Sequence, residues 1–159
     1  MTSLFIGRFQ PLHLGHLSVL KKFSGTILVG IGSSQYARTT NNPLSFAERK
    51  QCLEIVLPGI PVIAIPDIHD DAHWVDHVKK TVYAAYPSGF DQVISGNRLV
   101  QLLFRKQGIP VLDPAVSVSI DGTVIRRLIK QHNDIWKHYV PSSIQPIIEP
   151  VIAGTGIAA

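Results

Sequence analysis

Five short apolar segments alternate with segments of helical periodicity along this chain of 159 residues. The apolar segments predict strands at 3–6, 26–31, 61–65, 92–94 and 109–112. The segments between them predict helices at 13–23, 45–57, 72–86, 99–106 and 122–132, and Pro141 favours the start of a last helix. Ser45, with Glu48 three positions later, is predicted to cap the second of these helices. Strands that are apolar throughout need cover on both faces. The sequence therefore predicts an α/β fold, a doubly wound parallel sheet of about five strands with helices on both faces and further helices at the C-terminus.

The composition is typical of one packed domain. Hydrophobic residues make up 45% and charged residues 16% of the chain, which excludes a disordered chain. The length predicts one domain at 1–150, followed by a loosely ordered tail at 151–159. No apolar run approaches the roughly 20 residues of a membrane helix, and the first residues do not resemble a signal peptide, so we expect a cytoplasmic protein without a membrane partner. Cys52 is the single cysteine, which excludes an internal disulfide and a cysteine-built zinc finger.

Positive charge is concentrated in the first third of the chain. The first acidic residue is Glu48, and positions 1–47 contain four lysines or arginines. A field of one sign attracts anions. The chain has no zinc-finger spacing, arginine-rich tract or basic face at helical period, so a small polyphosphate ligand fits better than nucleic acid.

Ligands of doubly wound sheets bind beyond the carboxyl ends of the strands. In this chain that rule selects the loops at 7–12, 32–44, 67–72, 95–98 and 113–122. The first loop continues into a helix and reads Gly-Arg-Phe-Gln-Pro-Leu-His-Leu-Gly-His from 7 to 16. His13 and His16 share one face at the helix N-terminus, where two imidazoles can donate to phosphate oxygens. Gly7 and Gly15 would let a ligand approach the backbone.

Two other interpretations of the histidine pair stay open at this point. His-x-x-His can bind a metal, although no third ligand is evident nearby. Either histidine can also be an ordinary capping or half-buried residue.

The loop resembles the signature of the nucleotidyltransferase superfamily. Its whole sequence from 7 to 16 resembles that of the archaeal-type nicotinamide mononucleotide adenylyltransferase branch. A second segment, Ile-Asp-Gly-Thr-Val-Ile-Arg at 120–126, resembles the family's second motif, Ile-Ser-Gly-Thr-x-Ile-Arg. Asp121 stands where the family usually has serine. Either Asp121 or Thr123 can cap the helix that follows. Arg126 lies one turn into that helix. The resemblance implies a Rossmann-like sheet whose second motif holds a triphosphate opposite the histidines. Class I aminoacyl-tRNA synthetases share a related motif, but 159 residues leave no room for their tRNA-binding parts.

The segment at 66–78 resembles the part of this branch that lines the nicotinamide pocket. Trp74 offers a flat face to a cationic pyridinium, a contact that contributes roughly 0.5 to 2 kcal/mol; the alternative is a core tryptophan. Asp71 stands where the branch typically has asparagine. A carboxylate accepts from a carboxamide and repels a carboxylate, so we expect a preference for the amide mononucleotide over the acid form.

Three histidines of the same segment, at 69, 73 and 77, have the spacing of a zinc or nickel site. A solvated helix face is the better interpretation, because the residue at 69 is expected before the helix, and we predict no resident metal site.

The remaining loops supply fewer candidates. Ser33 follows the second strand, and Ser95 with Asn97 resembles the branch's adenine-side loop. Arg38 and Arg49 are candidate phosphate or structural partners, with a structural role favoured for Arg49 inside its helix.

The resemblance implies transfer of AMP from ATP to nicotinamide mononucleotide (NMN), giving NAD and pyrophosphate. It also implies Mg2+ bound through the ATP phosphates and a homo-oligomer, since the resembling enzymes are often hexamers. The predicted catalytic residues are Arg8, His13, His16 and Arg126. The predicted ATP-binding residues are these four with Gly7, Phe9, Ser95, Asn97, Asp121 and Thr123. The predicted substrate-binding residues are Ser33, Arg38, Asp71 and Trp74. The alternatives are adenylyl or cytidylyl transfer to another phosphate acceptor, and a non-catalytic nucleotide sensor on the same fold.

Overall fold

The computed structural model describes residues 1–114 and 120–156, and its five strands form one parallel sheet. The strands are β1 (Thr2–Gly7), β2 (Thr26–Gly32), β3 (Val62–Ile65), β4 (Gln92–Ile94) and β5 (Val111–Leu112). Their order in the sheet is β3-β2-β1-β4-β5, with Phe5 of β1 paired to Val29 on one side and Ile94 on the other. The predicted doubly wound sheet is therefore confirmed. Its order reverses at β1, the position where such sheets open a crevice for ligands.

Helices cover both faces of the sheet, as predicted. They are α1 (Leu14–Leu20), α2 (Phe46–Val56), α3 (Asp71–Ala85), α4 (Arg98–Lys106), α5 (Gly122–Lys130) and α6 (Gln145–Gly154). Alternate side chains of β1 point to opposite faces: Leu4 packs with the core beneath α3 and α4, and Phe5 packs with the core beneath α1, α2, α5 and α6. No helix within the described ranges has the length and apolarity needed to cross a membrane.

Two helix boundaries differ from the prediction. α1 has only 7 residues, because the N–H of Lys21 bonds to the carbonyl of Leu17 and the N–H of Lys22 bonds to that of Val19, which closes the helix before the chain returns to β2. Pro141 does not begin the last α-helix. It is extended, with ψ at 136°, and leads through a 3-10 turn (Ser142–Ile144) into α6, which has Pro146 in its first turn.

The chain beyond residue 150 also differs from the prediction. α6 continues to Gly154 because its apolar face packs against the core, where Ile148 and Ile152 are both fully buried. The tail predicted from 151 thus starts inside a packed helix, and its residues 157–159 lie outside the described part of the chain. The same holds for 115–119 of the predicted loop at 113–122.

Candidate active site

A crevice of about 370 Å3 opens at the carboxyl ends of the strands. Gly7, Gly32 and Ile65 line it from the ends of β1, β2 and β3, and Ser95 lines it just after β4. The crevice also collects several of the predicted site residues: Gly7, Arg8, Ser33, Asp71, Trp74, Ser95 and Asn97. The strand-end rule thus located the cavity from the sequence alone.

The two histidines of the first loop fix each other's orientation. The N–H of Gly15 donates to Nδ1 of His13 at 3.1 Å, and the N–H of His13 donates to Nδ1 of His16 at 3.2 Å. The rings stack with their centroids 3.7 Å apart. Because both Nδ1 atoms accept hydrogen bonds, each neutral ring carries its proton on Nε2. The pair therefore presents two Nε2–H donors.

Both imidazoles are held in the neutral form. Burial lowers the pKa of His13 from 6.5 to about 4, against an opposing effect of the Asp121 charge. Burial lowers the pKa of His16 well below its usual value too, and the neighbouring His13 adds to the effect. Neutral imidazoles at this position can donate to a phosphate but cannot form ion pairs with it near neutral pH.

The glycines and Phe9 of this loop have a packing role that the sequence did not indicate. A Cβ on Gly15 would lie 2.8 Å from Cε1 of His13, so the glycine makes room for the His13 ring rather than for a ligand. A Cβ on Gly7 would lie 3.1 Å from the ring of Phe9. Phe9, expected to bind ATP, is 1% exposed, with its ring centroid 4.6 Å from that of His16. The Phe9 ring thus packs against the His16 ring and helps to fix its position.

The second motif meets the first loop through Arg126. Nη1 of Arg126 donates to the carbonyl oxygen of Gln10 at 2.8 Å, and Nη2 donates to Oγ1 of Thr123 at 3.3 Å. A Cβ on Gly122 would crowd both Nη1 and that carbonyl at 3.0 Å, so only glycine fits there without displacement. Asp121 caps α5, as predicted, by accepting from the N–H of Val124 at 2.9 Å.

Three guanidinium groups make the centre of the site strongly positive. Burial lowers the pKa of Arg126, and the charge of Arg8 lowers it further. Burial also lowers the pKa of Arg49 to about 10, again with a contribution from Arg8. Such mutual repulsion among cations in one place favours binding of a polyanion.

Part of the crevice wall is acidic and aromatic. Three carboxylates and one aromatic ring form it: Asp67, Asp70, Asp71 and Trp74. The ring of Trp74 packs edge-on against that of Phe104, with the ring centroids 5.6 Å apart. Asp70 caps α3 and accepts from Nδ1 of His73 at 2.7 Å; this bond lowers the pKa of the Asp70 carboxyl. Trp74 is half-buried and remains available to a ligand.

Comparison with known proteins identifies the family. A model described as cytidylyltransferase-like matches residues 4–128. The chain belongs to this family. Relatives named nicotinamide-nucleotide adenylyltransferase include one from Methanococcus aeolicus, 37% identical over 95% of this chain and 90% of the relative. Another, from Thermococcus sibiricus, is 36% identical over 95% of this chain and 84% of the relative.

Solved structures share the fold of this cytidylyltransferase-like chain. A bifunctional NMN adenylyltransferase/ADP ribose pyrophosphatase from Francisella tularensis superposes with a TM-score of 0.72 and 20% identity over 96% of this chain. A second structure of such a protein from the same organism, complexed with AMP and a manganese ion, gives a TM-score of 0.68. This chain spans about half the length of these bifunctional proteins, 52% and 51%.

Some predicted site residues lie outside the crevice. Thr123 and Arg126 line a second cavity of about 350 Å3 along α5. Arg38, expected to bind substrate, forms a two-pronged ion pair with Glu48 at 2.6 and 3.0 Å. Glu48 is held there because it also caps α2 by accepting from the N–H of Ser45, as the sequence predicted. The hydrogen bonds from Arg38 lower the pKa of the Glu48 carboxyl. Both Nη atoms of the Arg38 guanidinium donate to this carboxylate.

In the turn after β4, Asn97 has only its donor group left for a ligand. Its Oδ1 accepts from the N–H groups of Leu99 and Val100, at 3.0 and 3.2 Å, and so caps α4. In this arrangement Asn97 can donate to a ligand through its amide NH2. Oγ of the buried Ser95 accepts from the N–H of Asn97 at 3.1 Å and supports this turn.

Arg49 is the most important positioning residue that sequence analysis underestimated. It is 1% exposed and donates to six carbonyl oxygens, which belong to Arg8, Gly32, Ser33, Ser34, Tyr36 and Ser45. The predicted structural role is confirmed, and it consists in tying the ends of β1 and β2 together at the crevice. Gln10 adds a second tie by exchanging two hydrogen bonds of 2.9 Å with the backbone of Leu44. The sequence signal for this role was the pair Glu48-Arg49, inside a predicted helix that follows a strand-end loop.

The histidines at 69, 73 and 77 do not converge. Nε2 of His69 lies 2.6 Å from the hydroxyl of Tyr36, His73 pairs with Asp70, and Nε2 of His77 lies 3.0 Å from the carbonyl of Pro66. Within 1–114 and 120–156, no three His, Cys, Asp or Glu residues are grouped so that they could hold a metal ion.

Proposed function

We propose that this protein is a nicotinamide-nucleotide adenylyltransferase, which transfers AMP from ATP to NMN and releases pyrophosphate. The observation that carries the proposal is the neutral histidine pair with both Nε2–H donors, which follows Arg8 in the first loop. Arg126 contacts that loop through the carbonyl of Gln10, and Arg8 lines a crevice that also contains Trp74. Relatives with this name cover most of the chain at 34–37% identity, which supports the same conclusion.

The reaction requires little from the protein beyond orientation and charge stabilisation. The 5′-phosphate of NMN attacks the α-phosphorus of ATP, and the bond from that phosphorus to the bridging oxygen breaks, with the electron pair leaving on pyrophosphate. A phosphate is an adequate nucleophile, so no general base is needed. The Nε2–H groups of His13 and His16, with the guanidinium groups of Arg8 and Arg126, are the groups we assign to the α-phosphoryl oxygens and the leaving group.

A divalent cation fits this arrangement when it is carried by the phosphates. We propose Mg2+, which binds through one or two carboxylates plus substrate phosphates and neutralises developing charge there. Such a cation would also offset the repulsion between the triphosphate and the charge of Asp121, which acts on both His13 and Arg126. Chelation with EDTA is expected to abolish product formation, and added Mg2+ to restore it.

The acceptor pocket favours a cationic pyridinium with an uncharged substituent. Asp67, Asp70 and Asp71 line the crevice together with Trp74, so a pyridinium is attracted and the carboxylate of a nicotinic acid ring is repelled. We therefore expect a higher kcat/KM for NMN than for nicotinic acid mononucleotide. Asp71→Asn should reduce that preference, whereas Asp76→Asn, an exposed change on the same helix outside the crevice lining, should preserve it. Equal kcat/KM for both acceptors in the unmodified protein would refute the assignment.

The test of the function is the product balance. Purified protein with ATP, Mg2+ and NMN should form NAD and pyrophosphate in equal amounts. Pyrophosphate formed only with a different phosphate acceptor would favour the broader transferase alternative. ATP binding without any product would favour the nucleotide sensor. A homo-oligomer, with the hexamer as its specific form, and a location in the cytoplasm remain predictions, which sedimentation velocity and cell fractionation would test.

A further inference from the structure

The loops after β2 and β3 are joined to each other by side-chain hydrogen bonds. Gln35 exchanges two of these bonds with the backbone of Asp67: its Nε2 donates to the carbonyl oxygen at 2.8 Å, and its Oε1 accepts from the N–H at 2.9 Å. The hydroxyl of Tyr36 lies 2.6 Å from Nε2 of His69. Among these four residues, only Asp67 lines the crevice. The other three therefore hold the two loops together without forming part of the crevice lining.

The loop after β2 is itself fixed by Arg49. This buried residue donates through Nη2 to the carbonyl oxygen of Tyr36 at 3.4 Å, and to those of Ser33 and Ser34 at 3.3 and 3.4 Å. The loop after β3 has less internal support, because residues 66–70 form neither helix nor strand. Its position therefore depends on contacts with the loop that Arg49 holds.

His69 extends the contact from Tyr36 to a carboxylate of the crevice. Its N–H donates to Oδ1 of Asp67 at 3.0 Å, and its Nδ1 lies 3.9 Å from the same oxygen. With the ring proton on Nδ1, Nε2 accepts from the Tyr36 hydroxyl. The backbone of His69 has φ at 52°, a left-handed conformation that is uncommon outside glycine and persists where the surroundings hold it. One series of contacts thus links four residues: Arg49, Tyr36, His69 and Asp67.

We propose that Tyr36 and His69 are positioning residues for the acceptor, which fix the Asp67 carboxylate in the crevice and thereby set the affinity for the mononucleotide. Loss of their contact would release the segment at 66–70. That segment would then have to be ordered when the acceptor binds, which weakens binding. The inference rests on the proposed transfer to NMN and adds to it two residues outside the crevice lining. The groups assigned to the ATP phosphates are not part of this series, so the affinity for ATP should not change.

Two substitutions of His69 separate the hydrogen bond from the backbone conformation. Glutamine can bring its terminal amide to the position of the imidazole Nε2 and bond to the Tyr36 hydroxyl. Asparagine is too short to do so, although it adopts the left-handed conformation more readily. We expect His69→Gln to keep the Kd for NMN within twofold and His69→Asn to weaken it about fivefold, the effect of one lost hydrogen bond. The opposite order would overturn the inference, because the conformation of residue 69 alone would then matter.

Tyr36→Phe removes the other partner of the same hydrogen bond. On the full chain, the Kd for NMN from calorimetry and the KM for NMN should both rise about fivefold, whereas kcat and the KM for ATP should stay within twofold. The double variant Tyr36→Phe/His69→Asn should bind NMN no more weakly than either single variant, since all three lack one and the same bond. Tyr83→Phe, an exposed change on α3 outside the crevice lining, is the matched control and should leave all four constants unchanged. An unchanged Kd in Tyr36→Phe, or equal increases in KM for both substrates, would overturn the inference.

Amide hydrogen exchange tests the contact without any ligand. In Tyr36→Phe and His69→Asn, the N–H groups of Asp67 and residue 69 should exchange faster than in the unmodified protein, while that of Val29 in β2 should not change. Unaltered exchange at 67 and 69 would overturn the inference whatever the activity of the protein. Failure of the unmodified protein to bind NMN would instead contradict the proposed function, and the exchange rates would still decide whether Tyr36 and His69 fix the segment.

Discussion

At the residue scale, the site depends on two histidines that donate without being charged. Their Nδ1 atoms are occupied by backbone N–H groups, so the Nε2–H donors persist over the whole range in which the rings are neutral. Since the pKa of His13 is about 4, that range includes all pH values near neutrality. The turnover number should therefore not fall through a histidine titration between pH 6 and 8.

The depressed histidine pKa values also predict a pH dependence of stability. The unfolded chain takes up protons at His13 below pH 6.5, whereas the folded chain does so only near pH 4, so the free energy of unfolding decreases as the pH falls through this interval. Between pH 7 and pH 5 the His13 contribution is about 2 kcal/mol. The variant His13→Asn retains a capping side chain. In urea unfolding, its free energy of unfolding should fall between pH 7 and pH 5 by an amount smaller by about 2 kcal/mol than in the unmodified protein. The exposed-site variant His138→Asn should behave like the unmodified protein, and an identical loss in all three proteins would contradict the burial argument.

Gly15 allows a test of how closely the His13 ring must be positioned. In Gly15→Ala the new Cβ meets the ring at 2.8–2.9 Å and displaces it. We expect kcat to fall by about 10²-fold, since small displacements of a donor are costly in an oriented site. Gly154→Ala is the control, because its Cβ meets nothing within 4 Å. A Gly15→Ala enzyme with unaltered kcat would show that the ring orientation is unimportant.

The position of the first loop at the crevice could be predicted from the sequence, because it follows from the end of the first strand. Arg49 could not be assigned so completely, since its six carbonyl partners come from several segments that meet only in the folded chain. The ion pair of Arg38 could not be assigned for a related reason, because its partner Glu48 lies ten residues away in the chain.

At the element scale, capping signals were the most reliable guide. Ser45 with Glu48 and Asp121 before α5 both cap their helices as predicted, because these bonds involve residues within three positions of each other. The ends of α1 and the start of α6 were less predictable, because they depend on where the chain must turn to reach the next element. The same limit explains why Ile152 was placed in a tail, although its burial depends on distant partners in the core.

The cap of α5 separates the structural and electrostatic effects of Asp121. Asp121→Ser keeps a capping oxygen and removes a negative charge near His13 and Arg126, so the KM for ATP should fall roughly fivefold, about 1 kcal/mol. The free energy of unfolding should change little. Asp121→Ala removes the same charge and also the cap, so it should lower the KM equally and the free energy of unfolding by about 1 kcal/mol. A higher KM for ATP in Asp121→Ser would indicate instead that the carboxylate helps to hold the metal-nucleotide complex.

At the scale of the whole molecule, the order of the sheet places the chemistry. The reversal at β1 brings the first loop, the acidic wall and the Ser95–Asn97 turn around one crevice. Fold class and strand number were predictable because each strand is apolar and short. The cavity along α5 was not predictable, since it depends on how α5 packs beside the loop at 40–41.

The central claim is that the histidine pair stabilises adenylyl transfer, and the turnover of His16→Ala tests it most directly. NAD formation from ATP and NMN would be measured at saturating substrates for this variant, with the exposed-site variant His138→Ala as the control. The account predicts that kcat falls by about 10²-fold or more in His16→Ala and is unchanged in the control. Turnover of His16→Ala equal to that of the unmodified protein would contradict the assignment.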